Sequence, residues 1–323
     1  MIVVVAGGVG AARFLSGLVQ VVPPADVTAI VNTGDDTELH GLSISPDIDT
    51  VTYTLSASID PERGWGLRNE TWRAMESLAR FESVRPSGSS AGSRWFNLGD
   101  QDLATHFYRT ARLAEGASLR DVTDEIRRAF NLDITILPMT NDSVRTVVHL
   151  EHGSVPFQEY FVRLRHDVAV TGVDFVGAET ARFIDNALLS NADTIVIAPS
   201  NPIVSIGPVR ALPEVEEMLR SRRDDTVAIS PIVAGTALKG PADRMLVELG
   251  HEPTVVGVAR LYAPICSTLV IDTQDEHLVS AVEREGVRCI VTDTIMSKPG
   301  VAATLARTAI AATPRRGGQQ WLD

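Results

Sequence analysis

The chain has 323 residues, 44% hydrophobic but only 5% aromatic, and 41 acidic against 29 basic side chains give a formal charge of −12. That is enough apolar material for one large domain or two coupled ones, and aliphatic richness with few aromatics suits an α/β protein better than a β-sandwich. The acidic balance excludes a general nucleic-acid binder, which needs a basic face, but allows a small anionic ligand held by local donors.

Residues 2–6 read as a buried strand that runs into Gly7, Gly8 and Gly10. A helix with apolar residues at Ala11, Phe14, Leu15, Leu18 and Val19 follows, to about residue 20. Strand, glycine turn and helix make an anion site: the glycines let backbone N–H groups approach a phosphate, and the positive end of the helix dipole points at it. The first apolar run lacks a preceding basic region, and no stretch of about 18 apolar residues occurs, so neither a signal peptide nor a membrane span is expected.

Residues 27–31 complete a β-α-β unit and end in Asn32-Thr33-Gly34-Asp35-Asp36. In a parallel sheet that is the carboxyl edge, where ligands gather. Residues 46–55 carry Asp47, Asp49 and Thr50 into a short apolar helix or strand. From 61 to 131 the pattern is helical, with helices at 70–81, at 102–115 and from Ser118 to 130. Ser118 and Asp121 form a capping-box pattern. The Ser/Gly-rich segment 85–94 reads as a flexible exposed loop. Residues 134–138 and 145–150 read as strands joined by a turn at 140–142, with 158–165 pairing beside them. Strands at 194–198, 226–230, 268–272 and 289–292 then alternate with helices at 213–221, between Pro241 and Gly250, and at 276–285. Cys266 and Cys289 lie in apolar stretches without Cys-x-x-Cys spacing, as expected of reduced thiols in the cytoplasm.

The expected fold is α/β: a Rossmann-like, doubly wound, mostly parallel sheet with right-handed crossovers. The core takes 1–60 and 132–313, a helical insertion or cap takes 61–131, and 314–323 is a flexible tail.

Four segments carry the chemistry. In the first, Gly8-Val-Gly10-Ala-Ala-Arg13 lacks the third glycine of a dinucleotide fingerprint, and Arg13 offers a cation one turn into the helix. No Gly-x-x-x-x-Gly-Lys-Ser/Thr segment exists. The second holds Asp35, Asp36, Asp47 and Asp49, four acids within fifteen residues. Such acids repel unless a divalent cation intervenes, and Mg²⁺ favours one or two carboxylates plus substrate phosphates. Asp35 and Asp47 also suit helix caps or turns. The third, Gly99 to His106, places Asp100 or Asp102 at a helix N-cap, with His106 one turn beyond Asp102 in a structural role. In the fourth, Pro199 to Pro208 forms a long loop at another carboxyl edge. There Asn201 suits a base edge, Ser200 and Ser205 suit phosphate, and a helix cap is the alternative. A second such loop holds Ser230 to Gly235 and Lys239 to Asp243.

Gly7-Gly8-Val9-Gly10, Asn32 to Asp36, Pro46 to Thr50, Gly64-Trp65-Gly66, Gly99 to His106, Pro199 to Pro208 and Lys239 to Asp243 occur in this order over nearly the whole chain. Together they resemble the 2-phospho-L-lactate transferase family of coenzyme F420 biosynthesis. Residues 60–72 look most like its actinobacterial branch, in which the donor carries phosphoenolpyruvate. The resemblance implies that the ribityl hydroxyl of the deazaflavin Fo attacks a guanylylated phosphoenolpyruvate or phospholactate and that GMP leaves. It implies Mg²⁺ on Asp36 and Asp49, with Asp35 beside them, and Asp36 and Asp49 as the catalytic pair. Gly7, Gly8, Val9, Gly10, Arg13, Asn32, Ser200, Asn201 and Pro202 fall on the nucleotide side, and Asp49, Gln101 and Asp102 on the Fo side. Relatives usually carry arginine where this chain has Gln101, which implies weaker Fo binding or another pose. A homodimer is usual among them. Two competing readings are a non-enzymatic nucleotide-sugar-binding regulator of the same fold and a nicotinamide-dependent dehydrogenase. Arg13 and the acid cluster oppose the latter.

Overall fold

The computed structural model describes residues 1–313. The chain opens with β1 (Ile2–Ala6), α1 (Gly8–Leu18) and β2 (Val27–Val31), followed by a hairpin of β3 (Thr37–Leu39) and β4 (Leu42–Ile44), and then α2 (Pro46–Leu55). Three helices come next: α3 (Arg73–Leu78), α4 (Asp102–Ala114) and α5 (Leu119–Ala129). β5 (Thr135–Pro138), β6 (Arg145–Leu150), β7 (Gly153–Pro156) and β8 (Val170–Val176) lead to α6 (Asn186–Asn191) and β9 (Thr194–Ile197). The remainder is α7 (Gly207–Arg210), α8 (Val215–Ser221), β10 (Thr226–Ile229), β11 (Ile232–Val233), β12 (Thr236–Ala237), α9 (Ala242–Glu248), α10 (Val255–Tyr262), β13 (Thr268–Asp272), α11 (Val279–Arg284), β14 (Arg288–Thr292) and α12 (Val301–Ala311).

β1, β2, β9, β10 and β13 are buried at every position. Continuous apolar strands of this kind need cover on both faces, as a parallel sheet with flanking helices provides. The central sheet has the order β14-β13-β10-β9-β1-β2-β5, and every pairing is parallel. On one face Val4, Ala6, Phe14, Leu15, Ile48, Val51 and Leu305 pack together, so α1, α2 and α12 cover it. On the other, Val5, Ile197, Val209, Leu219 and Tyr262 form a second core under α7, α8 and α10. The fold is thus the α/β, Rossmann-like parallel arrangement expected. From β1 the chain winds outward to β2 and β5, then returns to β9 on the opposite side. The winding reverses between β1 and β9, the place where open α/β sheets bind ligands.

Several elements differ from the sequence reading. β5 joins the central sheet beside β2, whereas β6 leaves for a separate antiparallel sheet of order β7-β6-β8. Segment 158–165 is no strand: Glu159–Arg163 is a π-helical turn that buries Tyr160 and stacks Phe157 on Phe161 at 5.5 Å. β8, α10 and α12 had no counterpart in the sequence reading. The helix expected at 70–81 starts only at Arg73 and ends in a 3-10 turn at Ala79–Phe81, and Glu70 precedes it. Its carboxylate accepts the backbone N–H groups of Gln101 and Asp102, both at 2.8 Å, and so caps α4. Asp100 in return accepts from the N–H groups of Arg73 and Ala74 and caps α3. Neither Asp100 nor Asp102 is therefore the cap of its own helix. The Ser118–Asp121 capping box forms as expected at the start of α5. Both cysteines are free thiols, and no described helix is long and apolar enough to cross a membrane. The tail expected to be flexible, 314–323, lies outside the described residues.

Candidate functional site

The register β1–β9 sets the glycine turn beside the Pro199 loop. Ser200 Oγ donates to the Gly7 carbonyl at 2.6 Å, and a side chain on Gly10 would collide with the Pro199 carbonyl. Gly7 is extended at the N-cap of α1 without a side-chain cap of its own, and Gly8 has φ +69°. The missing cap comes from Asp47. This residue stands in the first turn of α2, yet its carboxylate accepts from the Gly8 N–H and, at 2.9 Å, from Asn32 Nδ2. One donor of the expected phosphate cradle is therefore held by an internal acid, which the α1 dipole favours there. Asn32 is fully buried; it also accepts from the Gly34 N–H at 2.8 Å and so shapes the turn that carries Asp35 and Asp36.

In the Pro199 loop, Asn201 Oδ1 accepts from Ile203 N–H at 2.9 Å and its Nδ2 lies 3.7 Å from Met245 Sδ. Asn201 thus closes its own turn without capping α7, whose N-cap is Ile206, and Ser200 ties the loop to Gly7. Pro202 lies within this turn, and Gly7, Gly10, Asn32 and Ser200 meet where β1 and the Pro199 loop adjoin. Arg13 has no carboxylate at ion-pair distance among the described residues. Burial and its charge lower the pKa of Lys239.

The four acids are not equivalent. Burial and the charge of Asp47 hold Asp35 well above the usual carboxylate range. Burial does the same to Asp36, although Ser45 Oγ donates to it at 2.7 Å. Asp35 Oδ1 and Asp36 Oδ1 are buried with no partner at hydrogen-bonding geometry, although Asn32 and Thr146 lie close enough to Asp35 to offset part of its rise. Among the described residues no three His, Cys, Asp or Glu side chains form a ready ligand shell. A Mg²⁺ site needs fewer protein ligands than that, and two orphaned carboxylate oxygens fit one that substrate phosphates complete.

Asp49 is committed differently. Arg109 Nη1 donates to its Oδ2 at 3.1 Å and Nη2 to its Oδ1, with Asp49 5% and Arg109 1% exposed. Arg109 Nη1 also lies 3.3 Å from His106 Nδ1, and His106 Nε2 lies 3.3 Å from Asp102 Oδ2. Tyr53 donates to Asp102 Oδ1 at 2.6 Å. Burial opposes ionisation of Asp102, but His106, Tyr53 and the Arg109 charge outweigh it and lower its pKa. Asp49 thus has Arg109 as its partner and also lies close enough to Asp36 for its charge to raise the Asp36 pKa. Sequence reading passed over Arg109. Its signal was the spacing 102–106–109, which puts three polar groups on one face of α4.

Gln101 faces away from this network and donates to the Asn69 carbonyl at 2.9 Å and the Arg68 carbonyl at 3.3 Å. It lines a cleft of about 720 Å³ with Leu67, Arg68, Thr105, Tyr108 and Phe130. The expected Fo residues thus divide, Asp49 and Asp102 in the buried network and Gln101 at the cleft.

Burial raises Asp47 to about 6. The unfolded chain releases this proton near pH 4, so between pH 4 and 6 the native state binds more protons and stability falls as pH rises. Asp47 and Asp35 titrate together, because the charge of one raises the pKa of the other, and both contribute to this fall. Urea unfolding of the wild type and of Asp47→Asn at pH 4 to 7 checks this: the variant gains relative stability as pH rises. A constant difference across the range contradicts it.

A model of the family described as 2-phospho-L-lactate transferase CofD matches residues 2–309. The chain is 41% identical over 318 residues to the phosphoenolpyruvate transferase of Kitasatospora aureofaciens, covering 96% of this chain and 97% of that one. It is 38% identical over 327 residues to the protein of the same name from Mycobacterium tuberculosis, covering 95% and 96%. Among solved structures, that of a Bacillus halodurans protein matches with a TM-score of 0.61 at 16% identity, covering 96% of this chain and 98% of that one. A second, described as a member of the upf0052 family from the same organism, gives 0.59 at 16% identity and the same coverage. These last two likenesses speak to the fold alone.

Proposed function

Since the chain belongs to the 2-phospho-L-lactate transferase CofD family of coenzyme F420 biosynthesis, we propose that it moves a phosphoenolpyruvyl group from a guanosine diphosphate donor to the deazaflavin Fo. The terminal ribityl oxygen of Fo bonds to the phosphorus that bears the three-carbon acid, and the bridging P–O bond to GMP breaks. The hydroxyl proton is released, and the product is dehydro-F420-0. We favour phosphoenolpyruvate over phospholactate, which would give F420-0, because the relatives at about 40% identity carry the former name. The protein acts in this reading as a cytoplasmic homodimer.

The observation that carries the reading is the pair of orphaned oxygens, Asp35 Oδ1 and Asp36 Oδ1, following β2 next to the glycine turn. Two buried acid oxygens without partners are costly, and burial pushes both acids toward their neutral forms; a bound cation would instead favour the carboxylates and use those oxygens. Mg²⁺ held by Asp36 and Asp35 would neutralise charge on the transferred phosphoryl group and on the leaving GMP. The free N–H groups of Val9 and Gly10 take the diphosphate, and Arg13 adds a positive charge. The Ser200–Asn201–Pro202 turn walls the guanosine. Asp49 orients the attacking hydroxyl. The cleft at Gln101 takes the tricyclic ring between Tyr108 and Phe130, and its volume lies within the range of small-molecule sites.

The test is incubation with Fo, an enzymatically generated guanylylated donor and Mg²⁺, with mass spectrometry of the products. Dehydro-F420-0 and GMP are expected, and only when metal is present. Tight binding of a nucleotide sugar with no product from Fo would instead favour a non-enzymatic regulator.

A further inference from the structure

Lys239 and Lys298 are the two lysines of a chain whose other basic side chains are arginines and histidines. Lys298 is paired with Asp293 at 2.7 Å. Lys239 has no acid at ion-pair distance among the described residues; what surrounds it is partial burial and the charge of Arg13, and both disfavour the ammonium. In a chain with 41 acids against 29 bases, two cations that face each other without an acid call for a cause.

The sheet brings them together. Arg13 stands one turn into α1, behind the glycine turn at the carboxyl end of β1. Lys239 follows the β11–β12 hairpin, which rises from the carboxyl end of β10, two strands away in the sheet. That hairpin is fastened: Ser230 Oγ accepts from the Ile232 N–H at 3.1 Å, and Asp275 accepts from the Ala234 N–H at 3.0 Å. A third segment sets the position of the ammonium. A Cβ on Gly64, at φ +74°, would stand 2.6 Å from Lys239 Nζ, so the ammonium rests against bare backbone. The turn that carries Gly64 is braced in its own right. Gly64 N–H donates to the Asp60 carbonyl at 2.9 Å, and Asp60 pairs with Arg63 at 2.9 Å. The Arg63 guanidinium lies 5.5 Å from the centre of the Trp65 ring and 5.1 Å from that of Trp72. An anionic group between Arg13 and Lys239 removes their repulsion, and it gains a forked contact from the guanidinium and a point charge from the ammonium.

We infer that Arg13 and Lys239 form an anion clamp at the mouth of the crevice, with Gly64 as the stop that places the lysine, and that the clamp takes a phosphate or carboxylate group of a bound substrate. That this substrate is the guanylylated donor rests on the transferase reading above; the clamp itself does not.

Two measurements test it. Lysine labelled with ¹³C at Cε gives one NMR signal for Lys239 and one for Lys298, told apart with Lys239→Gln. Pyrophosphate, phosphoenolpyruvate and GMP are added in turn at constant ionic strength, so that screening stays fixed. At least one of them shifts the Lys239 signal saturably and leaves that of Lys298 in place. Arg13→Gln weakens that probe at least about tenfold, as loss of a charge-assisted contact does. Pyrophosphate acting best assigns the clamp to the bridging diphosphate, GMP to the nucleotide phosphate, and phosphoenolpyruvate to the three-carbon acid. A Lys239 signal unmoved by all three, equal shifts of both lysines, or unchanged affinity in Arg13→Gln overturns the inference, whatever the protein catalyses. In the second, steady-state kinetics, Lys239→Gln raises the KM for the donor at least about tenfold and leaves that for Fo within about twofold, because the lost contact is to one substrate. Gly64→Ala pushes the ammonium aside and raises the donor KM as well. Made in Lys239→Gln it adds nothing, since the group it displaces is already gone. An unchanged donor KM in Lys239→Gln, an equal rise in both KM values, or a further rise when Gly64→Ala is added overturns it. If Gly64→Ala does not fold, Lys239→Gln decides alone, because that side chain is exposed. A wild-type protein that forms no product at all defeats the transferase reading alone, and the NMR comparison still stands.

Discussion

Asp49→Asn lowers turnover of the guanylylated donor with Fo at least about 100-fold, the range seen when one catalytic electrostatic contact is removed. The variant keeps the shape of the side chain and removes the charge that faces Arg109. Loss of one member of a buried pair leaves the other uncompensated, so a stability cost of about 3 kcal/mol accompanies the rate effect. The two consequences separate readily. Urea unfolding followed by circular dichroism measures the first, and single-turnover product formation on protein that is still folded measures the second. If the folded variant turns over at near wild-type rate, Asp49 has no part in the reaction and serves only to neutralise Arg109.

Gly10→Ala is expected to be the most damaging change in the glycine turn. A Cβ there would run into the Pro199 carbonyl, with backbone on both sides and no flexible side chain to yield. The first turn of α1 and the Pro199–Ser200 turn must then part, at about 3 kcal/mol, the upper part of the range for overpacking. Because the same two turns frame the β1–β9 crevice, donor affinity falls with stability, by about tenfold or more if a bond to phosphate is lost. Gly8→Ala is the control. Gly8 has φ +69° but only the Asp47 carboxylate, at 3.4 Å, near a new Cβ, so its cost is backbone strain of about 1 kcal/mol. Calorimetry with GDP and thermal unfolding of the two variants decide the matter. Equal effects would mean that the turn does not bear on the crevice as described.

The parts of the molecule legible in the sequence were those decided locally. β1, the glycine turn and α1 follow from an uninterrupted apolar run and its abrupt end, and the Ser118–Asp121 box lies within four residues. In the antiparallel sheet β6 was legible, but β8 was not, because Gly172 and Asp174 interrupt its alternation and leave no period to read. The helix caps were misassigned for a related reason: Glu70 and Asp100 cap helices about thirty residues away, and residue type alone cannot tell a near target from a far one. The same holds in the crevice. Four acids within fifteen residues marked the site, yet only the fold sorts them: Asp47 onto the α1 N-terminus, Asp49 onto Arg109, and Asp35 and Asp36 with oxygens left over. Arg109 itself looks like any helix arginine until α2 is laid against α4.

The crossed caps at Glu70 and Asp100 have a mechanical meaning. They act as a clasp at the neck of the stretch between α3 and α4, so that a tug on residues 82–98 is absorbed where the two helices begin. The helix that bears His106 and Arg109 is thereby fastened at its start to α3 rather than left to the exposed stretch that precedes it.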